Sequence, residues 1–202
     1  MSADTPPTDT RQRLLEVGTE LVAKQGFHAT GISEVLQQAG VPKGSFYHHF
    51  ASKEQFGIAL IEHAVDEYVA ELKPIVSNRK LSPRARLRQM FVAGRDCAAE
   101  SGPNDECVIY KIGLEAARLS EPVHAAVRSA YQQWCALLAQ VIREAQAAGE
   151  IDRKFDADQL GRMLVMLWEG AGMRMQIERS VAPLDETISF VFDTLLGPIG
   201  RT

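Results

Sequence analysis

Three observations predict an all-α chain. Apolar residues recur at spacings of three and four from Leu14 to Leu196. No stretch keeps the two-residue alternation of a half-buried strand. Cap residues and glycine stops divide the chain into segments of helix length. The expectation is about nine helices. They form an N-terminal three-helix head over residues 9–52, a connecting fourth helix over 53–78 and a larger helical domain over 83–202.

Residues 1–8 are small, polar and proline-containing, the composition of a disordered tail. Thr8 or Asp9 can cap a first helix whose stripe is Leu14, Val17, Gly18, Leu21 and Val22. Gly26 stops it, and Phe27 can pack back on its last turn. A second helix carries Ile32, Val35, Leu36 and Ala39 and ends at Gly40, because a left-handed turn residue is cheapest as glycine. Val41-Pro42 opens a third, where the missing proline N–H costs nothing. Two short helices joined by a glycine turn read as a helix-turn-helix. A plain αα-hairpin would want longer helices and a wider apolar face.

Ser52 and Gln55 form a capping box that opens the fourth helix, running to about Leu72, with Pro74, Ser77 and Asn78 marking its end. Leu87, Met90, Phe91, Gly94, Cys97 and Ala98 form a fifth stripe after Pro83. A short apolar helix runs from about Cys107 to Arg118. A long one follows from Ser120-Glu121-Pro122 to the stop at Gly149. Asp156 to Gln159 is a cap for a helix over 157–178 that is apolar nearly all round, and Pro183 precedes a last helix over 184–196.

Composition narrows the function classes. The apolar fraction, 46%, fills a core, and no run approaches the ~20 apolar residues of a bilayer span. The first residues have no signal-peptide pattern. Cys97, Cys107 and Cys135 are an odd, widely spaced set, which points to a reducing, cytoplasmic setting rather than a disulfide framework. No His-Glu-x-x-His, glycine-rich phosphate loop or Cys-x-x-Cys appears, so an enzyme, a metal site and a cofactor are not expected.

The third helix is the part with chemistry to spare. It gives a core only Phe46 and Phe50, while Lys43, Gly44, Ser45, Tyr47 and His48 form its other face. Lys43 and Lys53 each sit in a first turn, where a cation opposes the helix dipole by roughly 0.3–1 kcal/mol. That placement makes sense if a partner's phosphate shares the site. Ser45 is short enough to reach base edges. Against this, the net charge is −4, so any nucleic-acid contact must be local.

The segment Val41–Phe56, VPKGSFYHHFASKEQF, resembles the recognition-helix signature of TetR-type bacterial transcriptional regulators. Gly40, Lys43, Gly44, Tyr47, Phe50, Lys53 and Glu54 fall where that family puts them, as does Gly26. The resemblance implies that Thr30, Gly31, Lys43, Gly44, Ser45, Tyr47, His48 and Lys53 face DNA. It implies a homodimer on double-stranded operator DNA, with most such proteins being repressors released by a small-molecule effector. The segment Glu106–Glu115, ECVIYKIGLE, resembles the Gly-Cys-Leu…Asn…Glu segment of members that sense reactive electrophiles. Glu106 and Lys111 depart from it. Cys107 reads either as a sensor thiol, lowered by free helix N–H groups and Lys111, or as a small buried residue.

Candidate lining residues for the effector are Phe91, Cys107, Tyr110, Lys111, Tyr131, Trp134, Met163, Met166, Trp168 and Met173, because aromatics and methionines make adaptable apolar walls. The last two helices are the candidate dimer bundle, through Leu160, Leu164, Leu167, Ile188, Val191, Phe192 and Leu195. The effector is expected to shift the fourth helix and so change the separation of two heads. The competing readings are a helical interaction module without DNA binding and a transcriptional activator.

Overall fold

The computed structural model describes residues 10–102, 107–115 and 120–197. The expected tail, the Thr8 or Asp9 cap, residues 103–106 and the expected end of the short helix beyond Glu115 lie outside them. Among the described residues there are nine α-helices and no strand. They are α1 (Thr10–Gln25), α2 (Ile32–Ala39), α3 (Lys43–His49), α4 (Lys53–Val76), α5 (Pro83–Ser101), α6 (Val108–Glu115), α7 (Glu121–Ala147), α8 (Ala157–Glu178) and α9 (Ala182–Ser189). A π-helical turn at Phe190–Leu195 continues α9. None of the described helices is long and apolar enough to cross a membrane.

The expected caps form. Gln55 N–H donates to Ser52 Oγ at 3.1 Å, and Gln159 N–H donates to Asp156 Oδ1 at 2.7 Å. Ser82 caps α5 in the same way, with Pro83 in its first turn. Helix α4 runs past its expected end and contains Pro74. That proline lies in the last turn with both it and Ala70 exposed, so the carbonyl it leaves unpaired faces solvent.

The chain divides into two compact units, within α4 after Glu67 and within α7 after Ala130. The first holds residues 1–67 and 106–130, so α6 packs with α1 and the head. Its core contains an aromatic cluster among aliphatic residues. Phe46, Phe50 and Phe56 form a triad with ring centroids 4.9–5.4 Å apart, and all three are buried. Burial of each such ring contributes roughly 1.5–3 kcal/mol. Gly57 lets Phe27 lie against α4, since a Cβ there would meet its ring at 2.6 Å.

The second unit holds residues 68–105 and 131–202. Its core joins Leu87, Met90 and Phe91 of α5 to Leu138, Val141 and Ile142 of α7, Leu160 and Leu164 of α8, and Ile188, Val191 and Phe192. Buried Arg86 donates to Glu144 Oε2 at 2.7 Å and to the Val76 carbonyl at 2.7 Å. Arg84 donates to the carbonyls of Phe192 and Leu196, oxygens at the π-helical turn.

Candidate nucleic-acid interface

Backbone geometry sets the reading head. Gly40 has φ 63° and ends α2, with its N–H on the Gln37 carbonyl and the Val41 N–H on the Leu36 carbonyl. That paired turn fixes where α3 leaves α2. Phe46 anchors one side of α3 in the core. The opposite side therefore faces outward: Lys43, Gly44, Tyr47 and His48 are exposed, and Ser45 is half-buried. Tyr47 is 54% exposed although its ring packs edge-on against Phe46.

Glycines in the head fall into three kinds. Gly26 and Gly40 have positive φ. Gly18 and Gly57 leave room for Phe56 and Phe27. Gly31 and Gly44 do neither: both are exposed, their φ is not positive, and an added Cβ would meet nothing within 4 Å. Glycine in a helix costs about 0.5–1 kcal/mol relative to alanine. The fold itself gives no return for that cost at Gly44, but close approach of another molecule's surface does.

Two of the expected DNA-facing residues are placed otherwise. Thr30 is 2% exposed, and its hydroxyl donates to the Gly26 carbonyl at 2.7 Å. It braces the turn before Gly31 and does not face outward. Lys53 Nζ donates to the His28 carbonyl at 3.0 Å and lies 5.0 Å from the Phe27 ring centre. Burial pulls its ammonium below the ordinary lysine value, and the Glu115 carboxylate pushes it back up. Lys53 thus holds the loop after α1, with only its remaining donors left for a phosphate.

Glu115 is the residue that sequence reasoning missed. It ends α6, and its carboxylate accepts from the His28 N–H at 2.7 Å, 87 positions away. No local pattern signals such a contact. It ties α6 to the loop that Lys53 also holds.

The effector candidates fall in both units. Cys107, Tyr110 and Lys111 belong to the first unit, with Cys107 exposed immediately before α6 and its carbonyl accepting from the Lys111 N–H. In the second unit Phe91 meets Trp168 edge-on at 5.2 Å, and Tyr131 meets Trp134 at 5.5 Å. Met163, Met166 and Met173 instead point outward on α8, so they line no interior wall. The dimer candidates fail in the opposite sense. Leu160, Leu164, Ile188, Val191 and Phe192 are buried in this chain's own core and Leu195 is packed against it, so of the set only Leu167 is exposed.

The chain matches known proteins along most of its length. Residues 14–60 match the family model for bacterial regulatory proteins of the tetR family, and residues 83–191 match the tetracyclin repressor-like C-terminal domain. The transcriptional regulator AcuR of Cereibacter sphaeroides is 37% identical over 86% of this chain and 79% of its own. The HTH-type transcriptional repressor DhaR of Mycobacterium sp. (strain GP1) is 32% identical over 94% and 93%. Reduced NemR of Escherichia coli, a crystal structure, superposes with a TM-score of 0.85 at 31% identity, covering 92% of this chain and 96% of that one.

Proposed function

The chain belongs to the TetR family of bacterial regulatory proteins and is a DNA-binding transcriptional regulator, and from that premise we propose that it is an effector-released repressor acting as a homodimer. The observation that carries the DNA-facing assignment is the open, unneeded glycine at Gly44, flanked by exposed Lys43, Tyr47 and His48. Lys43, Tyr47 and His48 contact phosphates, Gly44 admits the backbone, and Ser45 reaches a base edge. With Lys43 and Lys53 the only lysines from Gly26 to Lys53, one head neutralises few phosphates. Two heads on half-sites roughly 34–36 Å apart supply the rest.

The outward face of α8 supports the dimer. Met163, Met166, Leu167, Met173 and Ile177 are exposed at helical spacing, with Ile177 66% exposed. Gly170 lies on the same stripe, exposed, with nothing within 4 Å of an added Cβ. An exposed apolar stripe with a small residue at its middle suits close packing against a second copy. The effector binds in the larger helical domain and favours the non-binding state by about 1–3 kcal/mol. Exposed Cys107, beside α6, is the candidate for capture of a reactive electrophile.

The test is a gel shift on the DNA upstream of its own gene across a salt series. Affinity should fall steeply with salt as counterions are released, and the effector should lower it further. A chain that binds no such DNA at low salt refutes the reading. Reciprocity supplies a second check: operator must weaken effector binding by the same factor.

A further inference from the structure

Among the described residues, three buried side-chain polar atoms of the second unit lack hydrogen-bond partners: Arg86 Nε, and two that adjoin one tyrosine. Trp134 Nε1 on α7 is one, and Glu169 Oε1 on α8 is the other. Tyr131 donates its hydroxyl to the Glu169 carboxylate, and its ring stands 5.5 Å from that of Trp134 at 89°. The ring of Tyr68 of α4 also meets Trp134, with ring centres 5.2 Å apart. Three helices thus bring three aromatic rings, an indole donor and a carboxyl acceptor to one place.

The chemistry of the two free atoms selects a ligand. An indole N–H can only donate, and a carboxylate oxygen can only accept. No ion pair to Glu169 is found among the described residues, and burial pushes its carboxyl above the ordinary value, with the Tyr131 hydrogen bond opposing. An ammonium would satisfy Glu169 and leave the indole unpaired. A ketone or aldehyde would satisfy the indole and leave Glu169 unpaired. A carboxylate would meet Glu169 as a like charge. A hydroxyl does both at once, accepting from Trp134 and donating to Glu169.

We propose that Tyr68, Tyr131, Trp134 and Glu169 form the recognition subsite for an uncharged small alcohol, whose hydroxyl bridges Trp134 Nε1 and Glu169 Oε1 while its apolar body lies on the rings. This rests on the reading of the larger helical domain as the effector-binding part, and it names a class of reversible effector separate from any electrophile captured at Cys107. A core that merely tolerated these atoms would hold a water there, so the test must separate an alcohol from water.

Calorimetric titration of the full chain, without DNA, uses four probes with one body: benzyl alcohol, benzaldehyde, benzylammonium and benzoate. Benzyl alcohol should bind most tightly. Trp134→Phe keeps the ring and loses the donor, so it should weaken benzyl alcohol and benzaldehyde roughly tenfold and leave benzylammonium unchanged. Glu169→Leu should weaken benzyl alcohol by a similar factor and spare benzaldehyde. A purely structural role would move all probes together. Tighter binding of benzylammonium, indifference of benzyl alcohol to both substitutions, or binding of none of the four overturns the proposal. Release of operator DNA by benzyl alcohol is measured separately. Its absence, with calorimetric binding intact, counts against the regulatory reading and not against the subsite.

Discussion

Gly44→Ala should make the head more stable and a poorer DNA binder. Position 44 is the second residue of α3, its φ is not positive, and an added methyl meets nothing within 4 Å. The folded chain therefore accepts alanine without strain. Helix propensity and the reduced freedom of the unfolded chain then favour the variant by about 0.5–1 kcal/mol. For a chain of this size that raises the midpoint of thermal unfolding by about 1–4 °C. On DNA the same methyl enters a surface packed against the double helix, and overpacking of that kind costs about 1–3 kcal/mol, a loss of roughly 5- to 150-fold in affinity. Scanning calorimetry reads the first effect, and fluorescence anisotropy on operator DNA at one fixed salt concentration reads the second. Unchanged operator affinity would refute the reasoning. So would a lowered melting temperature, because the glycine would then serve the fold.

Three further outcomes follow from the geometry. Glu144→Ala strands the buried Arg86 guanidinium and should cost about 3–5 kcal/mol in denaturant unfolding. Arg86 chiefly holds the Glu144 carboxyl below its ordinary value, so the pair stabilises at neutral pH and is lost as the solution falls below about pH 4; the parent should lose stability there more steeply than the variant. Met166→Asp combined with Ile177→Asp places charge on the exposed stripe of α8 and should yield a folded monomer by sedimentation; an unaltered dimer would move the interface elsewhere. Cys107→Ser should bind operator normally and ignore electrophiles, and full induction of that variant would remove the thiol from the mechanism.

Local chemistry was legible wherever it was written locally. The start of α8 at Ala157 follows from the Asp156 cap, and the Gly26 and Gly40 stops follow from backbone sterics. The face of α8 was not legible. That helix is apolar on nearly every side, so periodicity cannot say which stripe meets its own core: Leu160, Leu164 and Met175 turn inward while Met163, Met166, Leu167 and Met173 turn out. Thr30 was misplaced for a related reason: nothing beside it in sequence tells that its hydroxyl closes on Gly26. The contacts of Glu115 with His28 and of Glu169 with Tyr131 join positions far apart in the chain, and they exist only once the helices have packed.

The clasp of Arg84 on Phe192 and Leu196 bears on how the protein is born. A chain grows from its N-terminus at roughly 5–20 residues per second. All residues of the first unit have been made by Ala130, including the glutamate that holds its first loop. The guanidinium of Arg84 must wait until Leu196 leaves the ribosome before its carbonyls arrive. For several seconds a nascent molecule can carry a complete first unit and an incomplete second one. Synthesis that stalls in that window would leave Arg84 without the two carbonyls it clasps.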